Sequence, residues 1–218
     1  MDQSFNYLIS PQISNLRVFS PKLKIAILAS GEGSNFQELI DLSKSNKFDI
    51  DIRLLITNKS EAGCLLRAKK SNISYKIIKV SDYDTNEYFE EEIINTIKKQ
   101  DIELVVMAGW MKIMSSKFVN AFKNKIINIH PSLLPSFKGN NAIKQAITSG
   151  SKITGCSVHF VEPEVDSGSL IMQAALPISD QDNIDSITKK IHLLEHEILP
   201  LSISQAGYML RNGFMDND

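Results

Sequence analysis

Apolar, β-rich runs recur along the chain at 24–29 (KIAILA), 51–57 (DIRLLIT), 75–80 (YKIIKV), 102–108 (IELVVMA) and 125–130 (KIINIH). Between them lie stretches with helical spacing. From Ser34, the residues Phe36, Leu39, Ile40 and Ser43 fall on one helical face, and over 87–99 Phe89, Ile93 and Ile97 do the same. This alternation predicts a parallel sheet with amphipathic crossover helices. After residue 150 the pattern changes to two strand-like runs, 153–162 and 169–178, separated by the turn-rich PEVDSG. They predict a β-hairpin-like addition. A last long helix is expected from about Asn183 to Leu210, with Pro200 kinking or interrupting it.

The fold class expected from these elements is α/β. It is an open, mostly parallel Rossmann-like sheet flanked by helices, with a C-terminal β-hairpin-like addition and a long C-terminal helix. With 218 residues, 43% of them apolar and 22% charged, the chain can bury a core as one domain over 23–218. Residues 1–22, which carry Pro11 and Pro21, read as a loosely attached, poorly ordered N-terminal extension. They lack the charged start and apolar run of a secretory signal, and no stretch reaches membrane-span length. A cytoplasmic location is therefore expected.

The net charge is −1 with both signs mixed, which gives no electrostatic footprint for nucleic acid or a membrane surface. Small-molecule substrates are the expected partners. The two cysteines, Cys64 and Cys156, lack metal-ligand spacing and suit a reducing compartment as packed core residues.

Two segments carry candidate chemistry. The first strand runs into SGEGSN (30–35) and then a helix, so a glycine turn delivers backbone N–H groups at a helix N-terminus. A dinucleotide fingerprint would need a third glycine where Phe36 stands. A mononucleotide phosphate fits the loop; the alternative is a turn shaped by Gly31 and Gly33, with Ser34 or Asn35 capping the helix. The second segment, IINIHPSLLPSFKG (126–139), places Asn128 and His130 two apart at a strand end, so both point to one face. Asp166, in the later turn, can aim a carboxylate back at that crevice. A histidine beside a carboxylate can hold or pass a proton, and a primary amide can donate to an oxygen that becomes negative.

These segments, together with ITNK (56–59), VVMAGWMKIMSSKFV (105–119), GCSVHFVEPEVDSGSLIMQ (155–173) and IHLLEHEILPL (191–201), resemble the phosphoribosylglycinamide formyltransferase family from Lys24 to about Leu201. The resemblance implies transfer of a formyl group from 10-formyltetrahydrofolate to the amine of a phosphoribosylglycinamide in purine biosynthesis. It makes Asn128, His130 and Asp166 the catalytic trio. Gly33, Ser34 and Asn35 would hold the substrate phosphate, with Pro131, His192 and Glu195 also on the ribonucleotide. Met111, Lys112, Ile113, Met114, Val119, Val161, Glu162 and Val165 would bind the folate. No metal is implied, and a monomer or weak homodimer is expected.

The sequence departs from the family where arginine is common, at Lys112 and at Asn86, and it has Lys138 where proline is usual. Four other readings compete, one of them a non-catalytic folate or nucleotide sensor, which would have no evident need for all of Asn128, His130 and Asp166. A 10-formyltetrahydrofolate hydrolase shares the trio, but usually carries a regulatory domain that the first 22 residues are too few to make. A methionyl-tRNA formyltransferase normally adds a C-terminal domain. HLLEH (192–196) fits the H-x-x-E-H pattern of a metallopeptidase, yet leaves the other segments unexplained.

Overall fold

The computed structural model describes residues 5–214. Eight strands form one sheet: β1 (Leu8–Ser10), β2 (Leu23–Leu28), β3 (Ile50–Thr57), β4 (Tyr75–Ile77), β5 (Leu104–Met107), β6 (Ile126–His130), β7 (Ile153–Phe160) and β8 (Leu170–Pro177). Their order is β1-β8-β7-β6-β5-β2-β3-β4. β2 to β6 are mutually parallel, and β7, β8 and β1 continue the same sheet antiparallel. The expected hairpin is therefore an extension of the main sheet on the β6 side.

Six α-helices accompany them among the described residues: α1 (Ser34–Lys44), α2 (Cys64–Lys70), α3 (Asn86–Lys98), α4 (Ser116–Ala121), α5 (Ala142–Thr148) and, after the last strand, α6 (Ile184–Arg211). One face of the sheet buries Ile27 and Leu55 against Phe36 and Leu39 of α1 and Ile191, Leu194 and Ile198 of α6. The other buries Leu28 and Met107 against Phe89 and Ile93 of α3 and Phe118 of α4. Burial on both faces explains why β2, β3, β5 and β6 read as apolar runs.

The helix ends follow local chemistry. Asn183 accepts from the Ser186 N–H while the Ser186 hydroxyl accepts from the Asn183 N–H, a reciprocal cap that starts α6. Pro200 does not interrupt α6, which runs through it for 28 residues. The expected loose N-terminal segment is also tied down from Phe5 onward; residues 1–4 lie outside the described residues. β1 pairs with β8, the Arg17 N–H donates to Ser204 Oγ at 2.7 Å, and the Arg17 guanidinium sits 4.2 Å over the Tyr208 ring. Phe19 is buried beneath α6, where a Cβ on Gly207 would come within 3.1 Å of its ring. Among the described residues no helix is long and apolar enough to cross a membrane.

Candidate active site

The strand order reverses direction between β2 and β5: β3 and β4 continue on one side, β6 on the other. The loops leaving β2 and β5 diverge there, and a crevice opens at the strands' carboxyl ends. A cavity of about 440 Å³ fills it, lined by the 31–35 turn, the 107–114 segment, the end of β6, the 161–166 turn and α6. The two loops are stitched together: the Ser30 N–H donates to the Gly109 carbonyl at 3.0 Å and the Met111 N–H to Ser30 Oγ at 3.1 Å.

The glycine turn enters α1 through Gly33 at φ 71°, and no side chain caps the helix. A Cβ at Gly33 would meet the Cys64 Cβ at 2.6 Å, so both the left-handed backbone and the close approach of α2 require glycine. Neither Ser34 nor Asn35 caps α1, and the first-turn N–H groups stay available to an anion. Asn35 instead donates from Nδ2 to Glu195 Oε2 at 2.9 Å. Burial, opposed by that hydrogen bond, pushes the Glu195 carboxyl up to about 7. His192, one turn earlier on α6, lines the same end of the cavity, and burial lowers its pKa.

The raised Glu195 value has a consequence for stability. Between the ordinary carboxyl value and about 7, the folded chain binds this proton more tightly than the unfolded chain, so stability falls as pH rises through that window. Glu195→Gln removes the effect. Urea unfolding should show the variant gaining on the wild type by about 2 kcal/mol between pH 5 and pH 8; a constant difference across that range would contradict it.

At the opposite side of the crevice, the β6–β7 register sets Asn128 directly across from His159. Asn128 Nδ2 lies 3.2 Å from His159 Nε2, and His159 Nδ1 lies 2.7 Å from the Phe160 carbonyl. The carbonyl can only accept, so the network assigns a proton to Nδ1; Nε2 then accepts from Asn128 in the neutral ring, and turns to Asp166 Oδ1 as a donor when it carries a proton. This fixes the amide and keeps its second N–H for the cavity. His130 Nε2 lies 2.9 Å from the Phe137 carbonyl and Nδ1 3.4 Å from Asp166 Oδ2. With acceptors at both nitrogens, the ring is satisfied as a cation. Asp166 Oδ1 is also 3.5 Å from His159 Nε2, and Oδ2 accepts from the Gly139 N–H at 2.8 Å. Burial opposes ionisation of Asp166, but the His159 ring, the Gly139 N–H and the charge of His130 outweigh it and hold the carboxyl at about 2. The turn that presents Asp166 depends on Gly168, where a Cβ would fall 1.8 Å from the Phe160 carbonyl oxygen.

The structure thus brings Asn128, His130 and Asp166 into one cluster. Gly33, Ser34, Asn35, Pro131, His192 and Glu195 line the cavity, as do Met111, Lys112, Ile113, Met114, Val161, Glu162 and Val165. Val119 is not among the lining residues; it is buried on α4. Asn86, where the family commonly has arginine, is not among the lining residues, and its amide donates to Glu90 at 3.0 Å. Sequence reasoning missed His159, which is 2% exposed and touches two of the three catalytic candidates. It also missed the Gly139 N–H. The signal for His159 was its place in a strand whose antiparallel partner is the strand of Asn128. Among the described residues no group of three or more His, Cys, Asp or Glu is arranged to hold a metal ion.

Comparison with known proteins fits this geometry. A family model described as formyl transferase matches residues 23–203. The phosphoribosylglycinamide formyltransferase of Escherichia coli (strain K12) is 40% identical over 182 residues, covering 84% of this chain and 86% of that protein. The trifunctional purine biosynthetic protein adenosine-3 of Chironomus tentans is 41% identical over 196 residues, 88% of this chain; the chain spans only 14% of that protein's length. The crystal structure of glycinamide ribonucleotide transformylase 1 from Symbiobacterium toebii superimposes with a TM-score of 0.84 at 32% identity, over 89% of this chain and 92% of that one.

Proposed function

The chain belongs to the formyl transferase family, and from that premise we propose that it transfers the formyl group of 10-formyltetrahydrofolate to the amine of 5'-phosphoribosylglycinamide, giving formyl-phosphoribosylglycinamide and tetrahydrofolate in purine biosynthesis. One observation carries the reading. The Asn128, His130, His159 and Asp166 cluster sits in a single cavity that has an uncapped helix N-terminus in one wall and the largely apolar Met111–Met114 segment in another. One wall suits a phosphorylated amine and the other a flat aromatic cofactor, so the cluster meets the two reactants where they join.

The uncharged amine attacks the formyl carbon and the carbonyl oxygen becomes negative. The free N–H of Asn128 donates to that oxygen, and the charge of His130 lies beside it. Asp166, ionised throughout the neutral range, holds both imidazoles; a carboxyl at about 2 is a poor proton store there, so the amine proton reaches the departing folate nitrogen by way of water. Gly33, Ser34 and Asn35 bind the phosphate, Glu195, His192 and Pro131 the ribonucleotide, and Lys112 a folate carboxylate as a point charge. The chain works as a monomer or weak homodimer in the cytoplasm.

The test is incubation of the purified protein with 10-formyltetrahydrofolate, with and without the ribonucleotide, following the folate spectrum and the ribonucleotide mass. A formyl mass added, with folate consumed only when both are present, is the expected result. Equal folate loss without the ribonucleotide would make the chain a hydrolase instead.

A further inference from the structure

We propose that Glu90 of α3 is a positioning residue, one that sets the 109–115 wall of the cavity and thereby tunes folate binding without touching substrate. Glu90 is 1% exposed, on a helix whose other buried residues, apart from Thr96, are apolar: Phe89, Ile93, Ile94 and Ile97. Burying a carboxylate there is costly unless its oxygens are occupied. They are occupied: Oε1 accepts from the Ser115 N–H at 2.9 Å and from Asn86 Nδ2 at 3.0 Å, and Oε2 accepts from the Ser115 hydroxyl. No cation is paired with it among the ion pairs of the described residues.

What Glu90 grips is the far end of the wall. Ser115 caps α4 by accepting from the Phe118 N–H, so the segment between β5 and α4 is pinned at one end by Ser30 and at the other by Glu90. Between the pins, Trp110 Nε1 donates to Met114 Sδ at 3.2 Å, closing the loop on itself. Met111 and Ile113 project from it, both largely exposed. Lys112 Nζ lies 5.5 Å over the ring of Phe89, the neighbour of Glu90 on α3. The position of this wall relative to β6 is therefore set from α3, and the departure at Asn86 belongs to the same arrangement: its amide completes the carboxylate rather than meeting a ligand.

The inference rests on the folate assignment of this wall, and two readouts separate the failure of one from the failure of the other. Trp110 is the only tryptophan in the sequence, so its emission reports the loop whether or not the chain turns over. Glu90→Ala should shift that emission to longer wavelength and raise KM for 10-formyltetrahydrofolate about tenfold, with kcat and the ribonucleotide KM within about twofold of wild type. Glu90→Gln keeps an oxygen for Ser115 and Asn86 and should stay within roughly threefold of wild type on both readouts. Should the alanine variant not fold, Ser115→Ala, which retains the backbone donor, is expected to give the same emission shift and a KM increase of about threefold. Wild-type emission and folate KM in Glu90→Ala or Ser115→Ala would overturn the proposal. So would an equal rise in both KM values, or a glutamine variant as impaired as the alanine. Absence of formyl transfer by the wild type would sink the functional reading alone, and Trp110 emission would then decide for Glu90.

Discussion

Asp166→Asn lowers kcat for formyl transfer by about a hundredfold to ten-thousandfold, the range of a group that organises proton-handling partners. The side chain stays the same size, so the loss isolates charge. In the native site one carboxylate faces both imidazoles, 3.4 Å from His130 Nδ1 and 3.5 Å from His159 Nε2. An asparagine offers one oxygen and one NH₂ in place of two acceptors. It cannot face both rings with an acceptor, and it removes the negative charge beside the cationic form of His130. The Gly139 N–H can still be satisfied, which should keep the turn folded. Steady-state kinetics with each substrate varied is the check. A fall in kcat with nearly unchanged KM values is expected, and turnover close to wild type would show that the carboxylate only ties the turn to Gly139.

Asn128→Ala should cost about a hundredfold to a thousandfold in kcat, the usual loss for one donor to a developing oxyanion. Its amide is held from behind by His159 Nε2, so little reorganisation is required when the oxygen charges. The same geometry makes the pair non-additive. Removing His159 frees the amide to rotate, and a variant lacking both should lose less than the product of the single losses. Full multiplicativity in that double-mutant cycle would mean the two side chains act separately. Because Asn128 is only partly buried, its truncation leaves the fold largely intact, and circular dichroism should match wild type.

Much of this arrangement was legible in the chain. The apolar runs at 24–29, 51–57, 102–108 and 125–130 coincide with β2, β3, β5 and β6 because strands covered on both faces leave long unbroken signals. α1 and α3 were legible because each completes three turns or more of one-sided apolar spacing. α2, α4 and α5 span seven, six and seven residues, too few turns for periodicity to stand out. β1 is three residues long and only half covered, so it carries no alternation. Within the site, Asn128 and His130 were legible from spacing on one strand. His159 was not, since its role comes from register between two strands, which spacing within either one does not contain.

The pairing of β1 with β8 also bears on how the chain is made. Leu8–Ser10 finds its partners at Gln173–Ala175, so the earliest strand of the sheet waits for the last one to be synthesised. At ribosomal rates of about 5–20 residues per second, that wait is on the order of ten to thirty seconds. Through that interval the parallel strands can assemble while the edge that β1 will cover does not yet exist. Closure of that edge is then a late event, coupled to the arrival of α6, on which Arg17 and Phe19 settle.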